Sequence, residues 1–316
     1  MEKRYYAYSD YLRSRYGEKV YKLPISIPVT CPNRDGPLGK EGCIYCAEEG
    51  TGFEMLSMDM CVKSQIEENA AYIGGHYGAK KFIAFFQNFC NTYLPLSDFE
   101  QYMHQACMPN IVAISISTRP DCVNDAYLEI LKKIRLQYGI DIYIEIGLQS
   151  PNWRTLKIIE RGHSLAEFID AVIRIRSYGF YTAAHVILNL PWDTIEDCVE
   201  CAKILSVLKV DEVKLHALYI MRDTKLGDMY LDGEIDIIPL KEYVERVVVF
   251  LEYLSPYIAI GRLVGRAPEH NTLFVNWQTS WWVIRDNIEA LMVEWNTFQG
   301  KECDYINGKA VKKFLK

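Results

Sequence analysis

No stretch of the chain reaches the roughly 18 consecutive apolar residues that a membrane-crossing helix requires. The opening segment MEKRYYAYSDYLRSRYGEKVYK also lacks a continuous apolar run behind its basic residues, so neither secretion nor membrane insertion is expected. Positive charge is in short supply: 35 Lys and Arg stand against 41 Asp and Glu, a net charge of -6 that argues against a broadly basic nucleic-acid binder. No Gly/Ser linker or low-complexity run divides the chain. The ten cysteines, without a leader, point to a reducing cytoplasmic setting in which thiols serve as metal ligands, catalysts or small core hydrophobes rather than disulfides.

With 316 residues, half of them hydrophobic, the chain can bury the core of one large domain with extensions. Short β-branched runs alternate with helical patterns, the arrangement of parallel strands joined by crossover helices. Six strands are expected: Leu23 to Thr30, Lys81 to Gln87, Ile111 to Arg119, Ile142 to Gln149, Tyr181 to Leu190 and Val213 to Ile220. Their nearly continuous apolar content predicts burial on both faces. Between them, Asp125 to Tyr138, Ser164 to Tyr178 and Thr194 to Leu208 carry apolar residues at helical spacing; Thr194 with Asp197 forms a capping pattern, and Gly139 and Gly179 stand where two helices should stop. The fold expected is α/β, a partial (βα)6 TIM-like barrel of residues 21–237, with an N-terminal extension of residues 1–20. Residues 238–316 form a C-terminal helical and strand extension packed on the barrel, with a helix from Leu240 to Leu254, an apolar run Ile258 to Val264 and a Trp-rich helix near Thr279 to Trp295.

Directly after the first strand, CPNRDGPLGKEGCIYC sets three thiols at C-x11-C-x2-C, where parallel α/β folds display active-site loops. The C-x2-C pair Cys43 and Cys46 suits one metal centre, and Gly36, Gly39 and Gly42 let the loop return Cys31 to it. Thiolates select zinc or iron-sulfur clusters. Structural zinc wants four protein ligands; Cys61 and His76 are available, but neither forms a second paired knuckle. Three thiolates on a four-iron cluster instead leave one iron open to a reacting ligand. The pair Cys198 and Cys201 lies inside a helical pattern and reads as packing.

The cysteine motif resembles that of the radical S-adenosylmethionine (SAM) superfamily, with a gap of eleven residues as in the branch of the Elongator catalytic subunit. FFQNFCNTY, SISTRPDC, EIGLQS, ERGH, HVILNLP, VKLHALY and GRLVGRAP resemble the bacterial YhcC/YtqA-type proteins of that branch. The resemblance implies a 4Fe-4S cluster on Cys31, Cys43 and Cys46, with SAM chelating the fourth iron and cleaved to methionine and a 5′-deoxyadenosyl radical. It also implies Tyr45 beside the adenine, and Gln149 and Arg161 as cofactor-binding positions, the guanidinium pairing with the methionine carboxylate. Ser117, at the end of the third strand with Thr118 and Arg119, and Asn189, with Pro191 at the end of the fifth, should rim the same mouth. The relatives carry Gly at Asn189 and Gly-Glu at Trp192-Asp193, and here Gln87, Asn91, Thr92 and Tyr93 replace the superfamily's Gly-Gly-Glu pattern. His185 and His216 read first as hydrogen-bonded core residues, and His163 either touches cofactor or caps the next helix.

By the same resemblance, the reaction is modification of a tRNA wobble-uridine side chain, without the acetyl transfer of the Elongator subunit, fed by a flavodoxin- or ferredoxin-type electron donor. Arg119, Arg154, Lys157, Arg262 and Arg266 are candidate phosphate contacts, weighed against ordinary surface charge. A protein partner could supply further basic surface. Two alternatives stay open: a radical enzyme acting on a small molecule or a protein, and a noncatalytic iron-sulfur or zinc scaffold.

Overall fold

The computed structural model describes residues 3–36, 38, 39, 41–47, 55–265 and 270–314. Seven parallel strands form one curled sheet: β1 (Val20–Ile25), β2 (Lys81–Phe86), β3 (Ile111–Thr118), β4 (Asp141–Gln149), β5 (Tyr181–Ile187), β6 (Glu212–His216) and β8 (Ala259–Arg262), in the order β1-β2-β3-β4-β5-β6-β8. This is an open partial barrel. A separate antiparallel pair joins β7 (Ile220–Met221) to β9 (Thr272–Phe274). Among the described residues no helix is long and apolar enough to cross a membrane.

The helices covering the outer face are α3 (Val62–Tyr77), α4 (Leu96–Gln105), α5 (Asp125–Tyr138), α7 (Leu165–Ser177), α8 (Ile195–Leu208) and α10 (Leu240–Tyr253), with α11 (Trp281–Glu294) packed on α10. Their starts follow from local chemistry. Asn124 accepts hydrogen bonds from the Ala126 and Tyr127 amides, and Ser164 with Glu167 and Thr194 with Asp197 form capping boxes. At its C-terminus α5 stops at Gly139, whose φ of 65° is cheap only without a side chain.

The first strand begins three residues earlier and ends five residues earlier than its apolar run predicts. Pro28 has no amide to offer the sheet, and Ser26 is already taken: Gln65 of α3 accepts from its amide at 2.9 Å and donates to its carbonyl at 2.8 Å. Pro24 is tolerated because β1 is an edge. The sixth run divides into β6 and β7. The apolar run at Ile258 to Val264 supplies the seventh strand, hydrogen-bonded beside β6.

Burial on both faces holds, but the two faces differ chemically. In β4, Ile142, Ile144, Ile146 and Leu148 belong to the core shared with α5 and α7, each such side chain contributing about 1.5–3 kcal/mol. The alternate residues Tyr143, Glu145, Gly147 and Gln149 therefore turn inward. At the N-terminal end of the strands the interior is closed by α1 (Tyr8–Tyr16), whose Tyr8 and Leu12 pack on Val20, Ile83, Ala113, Tyr143 and Ala259. The segment before α1 bridges the gap between the sheet's two edges, the Ile260 amide donating to the Tyr6 carbonyl at 2.8 Å.

Above that plug lies a layer of ions. Lys22 of β1 meets Glu145 at 2.7 Å and Glu212 at 3.1 Å, Lys214 also contacts Glu145, and Ser115 donates to Glu145 at 2.6 Å. His185 reaches Glu145 through Nε2 at 2.9 Å and His216 through Nδ1 at 3.0 Å. A carboxylate only accepts, so His185 Nε2 carries a proton. Burial opposes the Glu145 charge, yet Lys214, Lys22 and His185 hold its pKa well below the usual carboxylate range. Burial pushes His185 down to about 4, so it is neutral at pH 7.

Both shifts have the same sign for stability. The unfolded His185 takes a proton that the folded one refuses, so its contribution is lost as pH falls from about 6.5 towards 4. Glu145 contributes above about pH 4.5 and loses that contribution as pH falls further towards its depressed folded value. Glu145→Gln, which takes the carboxylate partner from buried Lys214 and leaves Lys22 only Glu212 among the described residues, is expected to cost about 3–5 kcal/mol at pH 7 and to flatten the acid dependence below pH 4.5. Urea unfolding from pH 7.5 to 3.5 measures both, and a cost below about 1 kcal/mol would refute this account of the ion layer.

Candidate functional site

Cys31 follows the segment that leads out of β1 and stands at the N-cap of the short helix α2 (Pro32–Asp35). The loop folds back through Gly42, whose amide donates to the Asn33 carbonyl at 2.8 Å, and turns at Cys43, whose carbonyl accepts from the Cys46 amide at 2.9 Å. The φ of 85° at Gly42 is a left-handed conformation that residues with a side chain rarely adopt. All three cysteines line one cavity of about 220 Å³ at the C-terminal ends of the strands.

Each of the three sulfurs faces its own guanidinium. Arg34 Nη2 lies 3.5 Å from Cys46 Sγ, Arg161 Nη1 3.6 Å from Cys43 Sγ and Arg119 Nη1 4.0 Å from Cys31 Sγ. Asn33 Nδ2 adds a second donor 3.5 Å from Cys43 Sγ while bonding the Glu160 carbonyl at 2.8 Å. Burial raises the Cys31 thiol, with the Asn33 amide and Arg119 pulling the other way. Such donors stabilise thiolates and bias a cluster they ligate towards the more negative state.

These positions depend on small residues and fixed partners. Arg119 is clamped by Asp121 at 2.9 and 2.8 Å. Gly162 has a φ of 78°, and a side chain there would fall 2.7 Å from Asn33 Oδ1. A Cβ on Gly147 would lie 2.7 Å from Arg161 Nη2 and 2.6 Å from Gln149 Nε2, so both side chains cross space that only glycine leaves open. Gln149 takes a left-handed φ of 71° at the bulge ending β4. Arg161 Nε is buried without a hydrogen-bond partner among the described residues.

Tyr45, Ser117, Gln149 and Arg161 line the same cavity as the cysteines. Asn189 does not: it is fully buried, and its Oδ1 accepts from the Leu218 amide at 2.7 Å, tying the loop after β5 to the loop after β6. His185 and His216 are hydrogen-bonded as a core pair and also form part of the cavity wall. His163 packs beside Arg161, and burial and that charge push it down to about 3. After β2, Gln87 lines the cavity, whereas Asn91 bonds the Phe86, Asn88 and Ser117 carbonyls and Thr92 bonds Thr118. Cys198 and Cys201 are buried on one face of α8. Arg154 and Lys157 are exposed, Arg262 lines the cavity, and Arg266 lies outside the described residues.

Asn33, Arg34 and Glu145 escaped the sequence reading. Asn33 and Arg34 follow Cys31 with only Pro32 between, and Glu145 is a lone carboxylate in an aliphatic run, so both signals are visible in the sequence.

Among the described residues no three His, Cys, Asp or Glu side chains converge as ligands of a single metal ion. The donor set of three thiolates in a cationic shell, beside an open chamber, fits an iron-sulfur cluster with one iron left for a further ligand.

Comparison with known proteins agrees. Residues 25–205 match the Radical SAM superfamily and residues 210–294 the Radical_SAM C-terminal domain. Protein MJ0486 of Methanocaldococcus jannaschii is 32% identical, over 93% of this chain and 90% of its own. YtqA of Bacillus subtilis is 28% identical, over 95% of this chain and 93% of its own. A tRNA uridine(34) acetyltransferase of Methanocaldococcus infernus is 22% identical over 67% of this chain, which is 38% of its own length. The solved archaeal Elp3 of M. infernus shares the fold, with a TM-score of 0.67 at 15% identity over 89% of this chain and 64% of that one.

Single Cys31→Ala, Cys43→Ala and Cys46→Ala variants are each expected to lose most of the iron taken up in anaerobic reconstitution, whereas Cys198→Ala should keep it. Iron content per chain is the readout; equal loading of all four variants would contradict the site.

Proposed function

Because the chain belongs to the radical SAM superfamily, we propose that Cys31, Cys43 and Cys46 hold its 4Fe-4S cluster and that the enzyme uses SAM to modify a uridine side chain at the tRNA wobble position. The observation that carries the cluster assignment is the pairing of each sulfur with a separate guanidinium. When bound, the cluster and SAM supply a 5′-deoxyadenosyl radical that abstracts hydrogen from substrate.

The chain's own residues do the positioning. Arg161, buried with one unmatched N–H and crossing the gap left by Gly147, pairs with the SAM carboxylate, and Gln149 and Ser117 present hydrogen-bonding groups beside it. Tyr45 forms the wall against the adenine. Asn189 contributes by fixing the Leu218 backbone rather than from the cavity wall. The walls shield a reactive radical from water, and the neutral pair His185 and His216 keeps extra charge out of the chamber.

Enzymes of this superfamily need a reductant, and a flavodoxin- or ferredoxin-type protein meets that need. The wobble-uridine substrate is supported by the relative named tRNA uridine(34) acetyltransferase. Since that match spans 38% of the relative, its acetyl transfer is not carried over.

The test is the modified-nucleoside profile of tRNA from deletion and parent cells grown anaerobically. Loss of one uridine-derived nucleoside, restored by the parent gene and not by Cys43→Ala, is expected. An unchanged profile would overturn the tRNA reading.

A further inference from the structure

The open side of the barrel holds a second cavity, of about 510 Å³, where the N-terminal segment spans from β1 to β8 and α11 approaches. Among the described residues it shares only Arg262 with the cysteine chamber. Its volume lies in the range of small-ligand sites. Its chemistry is cationic to a degree that the chain's net charge of -6 does not foreshadow.

Lys22 and buried Lys214 line it beside Glu212, the one carboxylate in the lining among the described residues, and Arg262 lines it as well. Lys3, Arg13, Lys19 and Arg285 ring the mouth. Lys22 and Lys214 are committed to Glu145 and Glu212, but the rim is not so bound. Lys3 pairs with Asp10 at 3.5 Å and Arg285 with Asp286 at 2.6 Å, exposed contacts of the kind worth about 0–1 kcal/mol and readily exchanged for a phosphate. Arg13 and Lys19 meet no carboxylate among the described residues. Tyr5, Tyr21 and Trp281 add aromatic surface to the lining of the same cavity, the Tyr21 ring stacked on Tyr77.

We propose that this side cleft binds a nucleotide, its phosphate held by the cationic rim and its base lying against the aromatic side chains of the lining. Charge-assisted contacts from several cations fit a phosphate, and the aromatic faces fit a flat heterocycle. The nucleotide is either free or part of an RNA strand; the recognised chemistry is the same. Arg262, which faces both cavities and lies 3.3 Å from His216 Nε2, connects the cleft to the cysteine chamber. This inference goes beyond the wobble-uridine reading and does not depend on it.

The test is calorimetric titration of the anaerobically reconstituted full chain with uridine, uridine 5′-monophosphate (UMP) and a uridine-containing anticodon stem-loop RNA. UMP, the RNA or both should bind at least about tenfold more tightly than uridine, and more weakly as salt rises. In the Arg13→Glu/Lys19→Glu double variant that advantage should fall by about tenfold or more; Arg13→Gln/Lys19→Gln should show a smaller loss and replaces it if charge reversal perturbs folding, as judged by iron content and circular dichroism. UMP binding alone identifies a free nucleotide, and stem-loop binding weakened by the same variants identifies an RNA strand. Either supports the cleft, even if the tRNA nucleoside profile of deletion cells proves unchanged. Neither phosphate ligand binding better than uridine, or binding indifferent to both double variants, overturns it.

Discussion

Three cysteines brought together in a partly buried loop would repel one another as ligating thiolates, and a positive charge faces each of them. Those charges come from three places far apart in sequence: Arg34 in the cysteine loop, Arg119 at the end of β3 and Arg161 after β4. Parallel strands end at one rim, so a β-rich sheet delivers all three to one place. Glycine then removes the obstacles. Without the space at Gly147 and Gly162, the Arg161 and Asn33 side chains could not take the positions from which they reach Cys43.

Beneath that rim the barrel interior is graded. Tyrosines and aliphatic groups close the N-terminal end, the Glu145 ion layer lies next, and the histidine pair borders the cysteine chamber. Buried ions are costly unless matched, and here they are matched across four strands, Lys22 from β1, Ser115 from β3, Glu145 from β4 and Lys214 from β6. The layer therefore depends on the strand register. It also separates the cysteine chamber from the cationic side cleft, with Arg262 reaching both.

Much of this was written in local sequence. The capping boxes at Ser164 and Thr194, the stop at Gly139 and the run of alternating strands and helices are consequences of neighbouring residues, and they fall where the patterns place them. The C-x11-C-x2-C spacing likewise carries its own chemistry. What local pattern conceals is pairing at a distance. The end of β1 depends on Gln65, far along the chain, and the seventh strand depends on an edge left open beside β6. The apolar look of β4 hides the inward polarity of Glu145, whose partners lie on other strands. Asn189 sits at the expected strand end yet turns to the Leu218 amide, because a loop contact elsewhere claims it.

The central claim is that Cys31, Cys43 and Cys46 hold a cluster with an open iron that cleaves SAM. Its most direct test is the amount of 5′-deoxyadenosine formed when the anaerobically reconstituted protein is reduced with dithionite in the presence of SAM. The account predicts 5′-deoxyadenosine from the parent and from Cys198→Ala, and none above background from Cys43→Ala. Iron-loaded parent protein that forms none, or a zinc-loaded chain that binds no iron, would contradict it.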